Sequence, residues 1–217
     1  MSAPGSWDVE NKELISQTVR NYRRLKKIYE KFRIAARDFA RSEGHYFRVI
    51  VCGSNRISSN SRYYRDLVRY GALLKEHNID LGTGVGYGAM EAVSIGHQSV
   101  ESSMAMLFGV PMLLPGEGLD SYAYTDYRAF LADDFHARLI MMDAIGTLWV
   151  ISPGAVGTML EFLYVKQHIQ FLLKEVPIEV ADHVILKNEG VHQGYLPPVL
   201  VYNPPDSTGQ GFYYHYL

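Results

Sequence analysis

The sequence predicts one α/β domain on a Rossmann-like parallel sheet flanked by helices, with a long helix at its N-terminus. Three observations predict it. Short apolar runs alternate with helical patterns in the order strand, turn, helix, the mark of βαβ units. Two of the turns that follow strands are rich in glycine, Thr83–Met90 and Pro153–Glu161. The chain of 217 residues, 47% of them hydrophobic, is long and apolar enough for a sizeable core.

The elements follow in order. Residues 1–7 are small and polar. A helix is expected from Val9 to Arg41, with Leu25, Ile28, Phe32, Ala35 and Phe39 spaced three and four apart on one face. Residues 1–43 are thus read as a helical extension and 44–217 as the α/β domain. Tyr46–Val51 is a buried-strand pattern ending in the turn Cys52-Gly53-Ser54-Asn55. Ser61–His77 is helical, Ile79–Leu81 a second strand, Gly82–Gly88 a glycine turn and Ala89–Gln98 a helix. Met104–Phe108 is a third strand. Leu114–Tyr127 is a loop long enough to be functional. Asp133–Ile145 reads as a helix, Leu148–Ile151 as a strand, Pro153–Gly157 as a tight turn and Thr158–Leu173 as a helix. After an ill-defined stretch, Val199–Tyr202 is the last strand. Right-handed crossovers then bring the turns that follow successive strands to one edge of the sheet.

Charge and composition narrow the function. The formal net charge of −2 gives no global reason for nucleic acid or membrane as partner. Residues 1–43 hold ten Lys and Arg against six Asp and Glu, read as a solvated helix face. Cys52 is the sole cysteine, so no intramolecular disulfide forms, which suits a reducing cytoplasm. No signal pattern opens the chain, and no apolar run approaches the ~18 residues that span a bilayer. The eight histidines lack metal-ligand spacing, so neither a metal nor a cofactor is expected.

The glycine turns carry the chemistry. Thr83-Gly84-Val85-Gly86-Tyr87-Gly88-Ala89-Met90 joins a strand to a helix. Alternating glycines let a backbone approach a ligand, and the helix behind aims free N–H groups at the turn, which suits an anion. Ser152-Pro153-Gly154-Ala155-Val156-Gly157-Thr158-Met159-Leu160-Glu161 repeats the arrangement after a later strand, and Gly53-Ser54 is a third such turn. Thr158 is suited to capping or to a phosphate oxygen. Glu161 is either a capping-box partner or a reacting carboxylate. There is no P-loop lysine motif, and Gly84, Gly86 and Gly88 lack the dinucleotide spacing.

Thr83–Ala92 resembles the Thr-Gly-Gly-Gly-Pro-Gly-x-Met-Glu-Ala signature, and Pro153–Glu161 resembles Pro-Gly-Gly-x-Gly-Thr-x-x-Glu. Both belong to the Lonely Guy family of cytokinin-activating phosphoribohydrolases and its nucleotide 5′-monophosphate nucleosidase relatives, many once labelled lysine decarboxylases. Val51-Cys52-Gly53-Ser54 and His136-Ala137-Arg138-Leu139, with Met142, add to the likeness, which covers roughly residues 46–175. It implies a Rossmann-like fold, a homodimer or larger homo-oligomer, and hydrolysis of a nucleoside monophosphate to free base and ribose 5-phosphate. By position it implies Arg138 and Glu161 as catalytic residues. Together with the glycine-turn reading, it gives Gly53, Ser54, Thr83, Gly84, Gly86, Gly88, Met90, Gly154, Gly157 and Thr158 as the nucleotide and phosphate site. Val85, Tyr87, Ala155, Leu139 and Leu160 depart from the pattern; Leu139 removes a cation. The departures favour an alternative, a nucleotide sensor or carrier without turnover.

Overall fold

The computed structural model describes residues 47–101, 103–112, 125–126, 131–173, 178–180, 183–186 and 199–202, and scattered positions between 16 and 38. Every described position between 16 and 38 is helical, within the stretch read as the N-terminal helix. The apolar stripe proposed for it lies outside the described residues, as does most of the loop 114–127.

From residue 47 onward the elements are β1 (Arg48–Cys52), α1 (Arg62–Glu76), β2 (Asp80–Thr83), α2 (Ala89–Gln98), β3 (Leu107–Gly109), α3 (Phe135–Ile145), β4 (Leu148–Ile151), α4 (Val156–Leu173), β5 (Ile178–Val180), β6 (His183–Leu186) and β7 (Val199–Val201). Five strands form one sheet in the order β3-β2-β1-β4-β7. Every neighbouring pair is parallel. The fold is the expected α/β, Rossmann-like parallel sheet with flanking helices. Strand order reverses between β1 and β4, so the loops after these two strands part and leave a crevice at the carboxyl edge.

Alternation along the strands divides the core. Ile50, Cys52, Trp149 and Ile151 pack into one layer with Leu139, Met142 and Val165 of α3 and α4. Val49, Val51, Leu81 and Val150 pack into the other with Leu74 of α1 and Val93 of α2. Period-two side chains buried on both faces are what a covered parallel sheet requires. Gly71 and Gly96 let α1 and α2 approach closely: a Cβ at either would sit 2.0 Å from Val93 O or 1.9 Å from Val68 O.

Caps set several helix boundaries. Ser61 accepts from Tyr64 N at the start of α1, and Asp134 from Ala137 N at the start of α3. Several boundaries differ from the sequence reading. Gly82 and Thr83 belong to β2, because pairing with Ile50 and Val51 on one side and Phe108 and Gly109 on the other carries the ladder through them. Met104 is exposed at 83% and precedes β3. Helix α4 begins at Val156, so Gly157 lies in its first turn. The antiparallel β5–β6 hairpin falls in the stretch that gave no readable pattern.

The amino edge of the sheet is closed by a buried polar group. Arg48 Nη2 lies 3.0 Å from Asp80 Oδ2, with the guanidinium 3.5 Å over the Phe108 ring. Lys75 donates to Ala105 O, and His97 Nε2 meets Ile79 O at 3.1 Å. Burial lowers the His97 pKa most, and Lys75 adds to that; the Ile79 carbonyl, Asp126 and Asp80 oppose it.

Candidate active site

The site assembles where β1, β2 and β4 end. The Ser54 amide donates to Pro153 O at 3.0 Å, tying the β1 turn to the β4 turn. Ser54 O accepts from Ala89 N at 2.9 Å, tying it also to the start of α2. The three turns read from sequence are thus physically joined.

Arg138 on α3 and Glu161 on α4 are 23 positions apart in sequence but meet here. Arg138 Nη2 lies 3.3 Å from Glu161 Oε1. Both side chains are more than nine-tenths buried. An ion pair out of water holds its charges only through good geometry and further partners. Phe135 lies beneath the guanidinium, whose Cζ is 5.1 Å from the ring centroid. Arg138 Nε is buried with no hydrogen-bond partner, so one donor of the fork is left over.

The glycines divide by what surrounds them. At Gly53 a Cβ would lie 2.0 Å from Ser152 Oγ, and at Gly154 2.0 Å from Thr158 Oγ1. At Gly84 it would meet Arg138 Nη1 at 3.2 Å and Met90 Sδ at 3.3 Å; at Gly86 it would meet Met90 Cε at 2.3 Å. Gly88 has φ +64°, and its Cβ would crowd Ser54 O at 2.5 Å. The fold itself requires glycine at 53, 88 and 154, whereas at 84 and 86 the neighbours are the far ends of Arg138 and Met90. Gly157 is different: nothing lies within 4 Å of where its Cβ would be. It sits in the exposed first turn of α4, where amide N–H groups lack intrahelical partners.

Other predicted residues fall into place around this frame. Thr158 is 4% exposed, and its side chain lies against Gly154. Thr83 Oγ1 accepts from Val85 N at 3.2 Å and shapes the turn. Met90 is buried over Gly84 and Gly86. Val85, which stands where the resembling motif has glycine, has φ +63° and is 3% exposed. A β-branched residue in the left-handed region is strained, by roughly 1–3 kcal/mol. His136, in the motif that carries Arg138, is exposed.

Two features escaped the sequence reading. A cavity of about 210 Å3 opens in the crevice, lined by Ser54, Arg56, Ile57, Tyr63, Pro153 and Gly154. Arg56 and Tyr63 carried no motif, and only the fold brings them beside Gly154. Cys52 was read as a buried strand end, which it is, at 0% exposure. Burial pushes its thiol pKa well up, the Glu161 charge adds to that, and Arg138 opposes it, an influence that 109 residues of separation hide in the sequence.

No family model matches the chain, and no curated protein matches it. Among solved structures, the X-ray structure of TM1055, a Northeast Structural Genomics Consortium target, is similar at 22% identity and a TM-score of 0.45. The match covers 54% of this chain and 66% of TM1055, so the chain spans just under two thirds of that structure. No helix among the described residues is long and apolar enough to cross a membrane, and no cluster of His, Cys, Asp and Glu among them is arranged to hold a metal.

Proposed function

We propose that this chain hydrolyses the N-glycosidic bond of a nucleoside 5′-monophosphate, as its resemblance to the Lonely Guy family implies. The observation that carries the reading is the buried Arg138–Glu161 pair at the root of two glycine turns. The phosphate sits against the first turn of α4, where Gly157 leaves the amides open and the helix dipole favours an anion. Phosphate binding positions the ribose over Glu161. The bond breaks through a ribosyl-cation-like state, which a carboxylate stabilises. Glu161 also accepts a proton from the water whose oxygen bonds to C1′. The base leaves with the bonding electron pair and takes up a proton. Arg138 holds Glu161 in place, and its spare Nε–H serves an oxygen of the substrate.

The same reading includes a second copy of the chain. Val156, Leu160 and Leu163 follow one another at spacings of four and three on α4 and are exposed at 75%, 49% and 50%. An exposed apolar stripe of this kind suits a homodimer or larger homo-oligomer packed beside the site. A reducing cytoplasm suits the single cysteine.

The alternative, a nucleotide sensor or carrier without turnover, is favoured further by one observation: Arg138 and Glu161 are paired with each other and closed from solvent. Incubation with a panel of monophosphates, followed by assay for ribose 5-phosphate and by thermal melting, separates the two. Product supports hydrolysis. A raised melting temperature without product supports the sensor. Neither sinks both.

A further inference from the structure

We infer that Val85 is a positioning residue for Arg138: its buried side chain anchors the turn after β2 on the end of β3, and that turn backs the guanidinium. Its role in turnover rests on the hydrolase reading above, whereas the packing does not.

The turn has two faces. On one, a Cβ at Gly84 would meet Arg138 Nη1 at 3.2 Å and Cζ at 3.5 Å, so the backbone there packs against the guanidinium. On the other, Val85 Cγ2 stands over Gly109, 2.8 Å from where a Cβ would be. Thr125 Cγ2 stands over the same point at 2.7 Å. Gly109 leaves the room, and the two buried side chains fill it together. The anchor is itself held. Asp126 Oδ2 accepts from Leu107 N at 2.7 Å and ties the Thr125 segment to β3. Val110 N donates to Thr83 O at 2.9 Å and ties β3 to the base of the turn.

The choice of residue fits an anchor. A left-handed φ of +63° costs a β-branched residue more than it costs glycine, so the backbone alone favours glycine here. What valine adds is the side chain over Gly109. V85G would put three glycines in a row from position 84, a backbone with little restraint of its own. Arg138 must hold Glu161 and serve a substrate oxygen at once, which needs a fixed guanidinium.

The test uses the full chain and two substitutions. V85G is expected to lower kcat roughly tenfold with KM within about twofold, and V85T, which keeps the branched outline, to restore most of the rate. Unchanged kcat in V85G, or a loss that V85T does not recover, overturns the positioning role. The second readout needs no turnover. The Arg138 Nε–H is buried, so its hydrogen exchange can be followed by nuclear magnetic resonance and assigned by its absence in R138K. The Arg48 Nε–H, buried at the opposite edge of the sheet, serves as the internal control. V85G is expected to speed exchange at Arg138 roughly tenfold relative to Arg48, and V85T to leave the ratio as in wild type. An unchanged ratio in V85G, including one in which both sites speed up together, overturns the anchor. If wild type leaves every monophosphate intact, the hydrolase reading fails and with it the role in turnover. The exchange ratio then decides the anchor alone.

Discussion

Replacing Gly157 with alanine separates what the fold needs from what a ligand needs. Nothing lies within 4 Å of the added Cβ, and Gly157 is not at a left-handed φ. It lies in the first turn of α4. Alanine there restricts the unfolded chain and favours helix, worth about 0.4–1 kcal/mol. For a chain of this size that raises the melting temperature by roughly 1–4 °C. On the proposed reading, the same methyl group stands where a phosphate oxygen approaches the amides of the turn. Losing a charge-assisted hydrogen bond costs about 1.5–3 kcal/mol, or roughly ten- to hundredfold in affinity. G157A is therefore expected to be more stable than wild type without ligand and to bind nucleoside monophosphates more weakly. Thermal melting and isothermal titration with a panel of monophosphates read both effects. A destabilised G157A refutes the open space at this position. Unchanged affinity, for a monophosphate that wild type binds, refutes a phosphate on the first turn of α4.

The remaining predictions concern the turn, the crevice and the amino edge. Val85 carries the cost of a positive φ, which alanine keeps and glycine removes. V85A is therefore expected to be less stable than V85G by about 1 kcal/mol in urea titration, and the reverse order would remove the strain argument. Arg56 lines the crevice beside Gly154, so R56A is expected to weaken monophosphate binding by roughly tenfold while leaving the urea midpoint within experimental error; equal affinity would place the ligand elsewhere. The buried His97 has a lowered pKa, so the unfolded chain takes up its proton first as pH falls. Its contribution is complete above the unfolded value of about 6.5 and is lost as pH drops below it toward the folded value. H97Q is expected to flatten that part of the stability–pH curve, and an unaltered slope would assign the acid sensitivity to other groups.

Much of the fold was legible because covered parallel strands and capped helices leave local marks. β4 and α2 stand where the patterns put them, and Ser61 and Asp134 cap as short polar side chains do. Boundaries that depend on pairing were less legible. Gly82 and Thr83 have turn-like sequence, yet two neighbouring strands hold them in β2. The hairpin β5–β6 pairs outside the main sheet and lacks a tight-turn signature between its strands. At the site, sequence singled out Arg138 and Glu161 separately, and the fold brings them to 3.3 Å. Gly53, Gly84, Gly86 and Gly154 make room for Ser152, Arg138, Met90 and Thr158, neighbours that no local motif reveals. The places of Arg56 and Tyr63 depend on the strand order at the switch point, which only the folded topology supplies.

The most direct measurement is chromatography of a nucleoside 5′-monophosphate panel after incubation with wild type and with E161Q. Wild type is expected to release free base from at least one monophosphate, and E161Q to do so at least roughly a hundredfold more slowly. Intact nucleotides throughout the wild-type panel, or equal rates for the two proteins, would contradict a reacting carboxylate at Glu161.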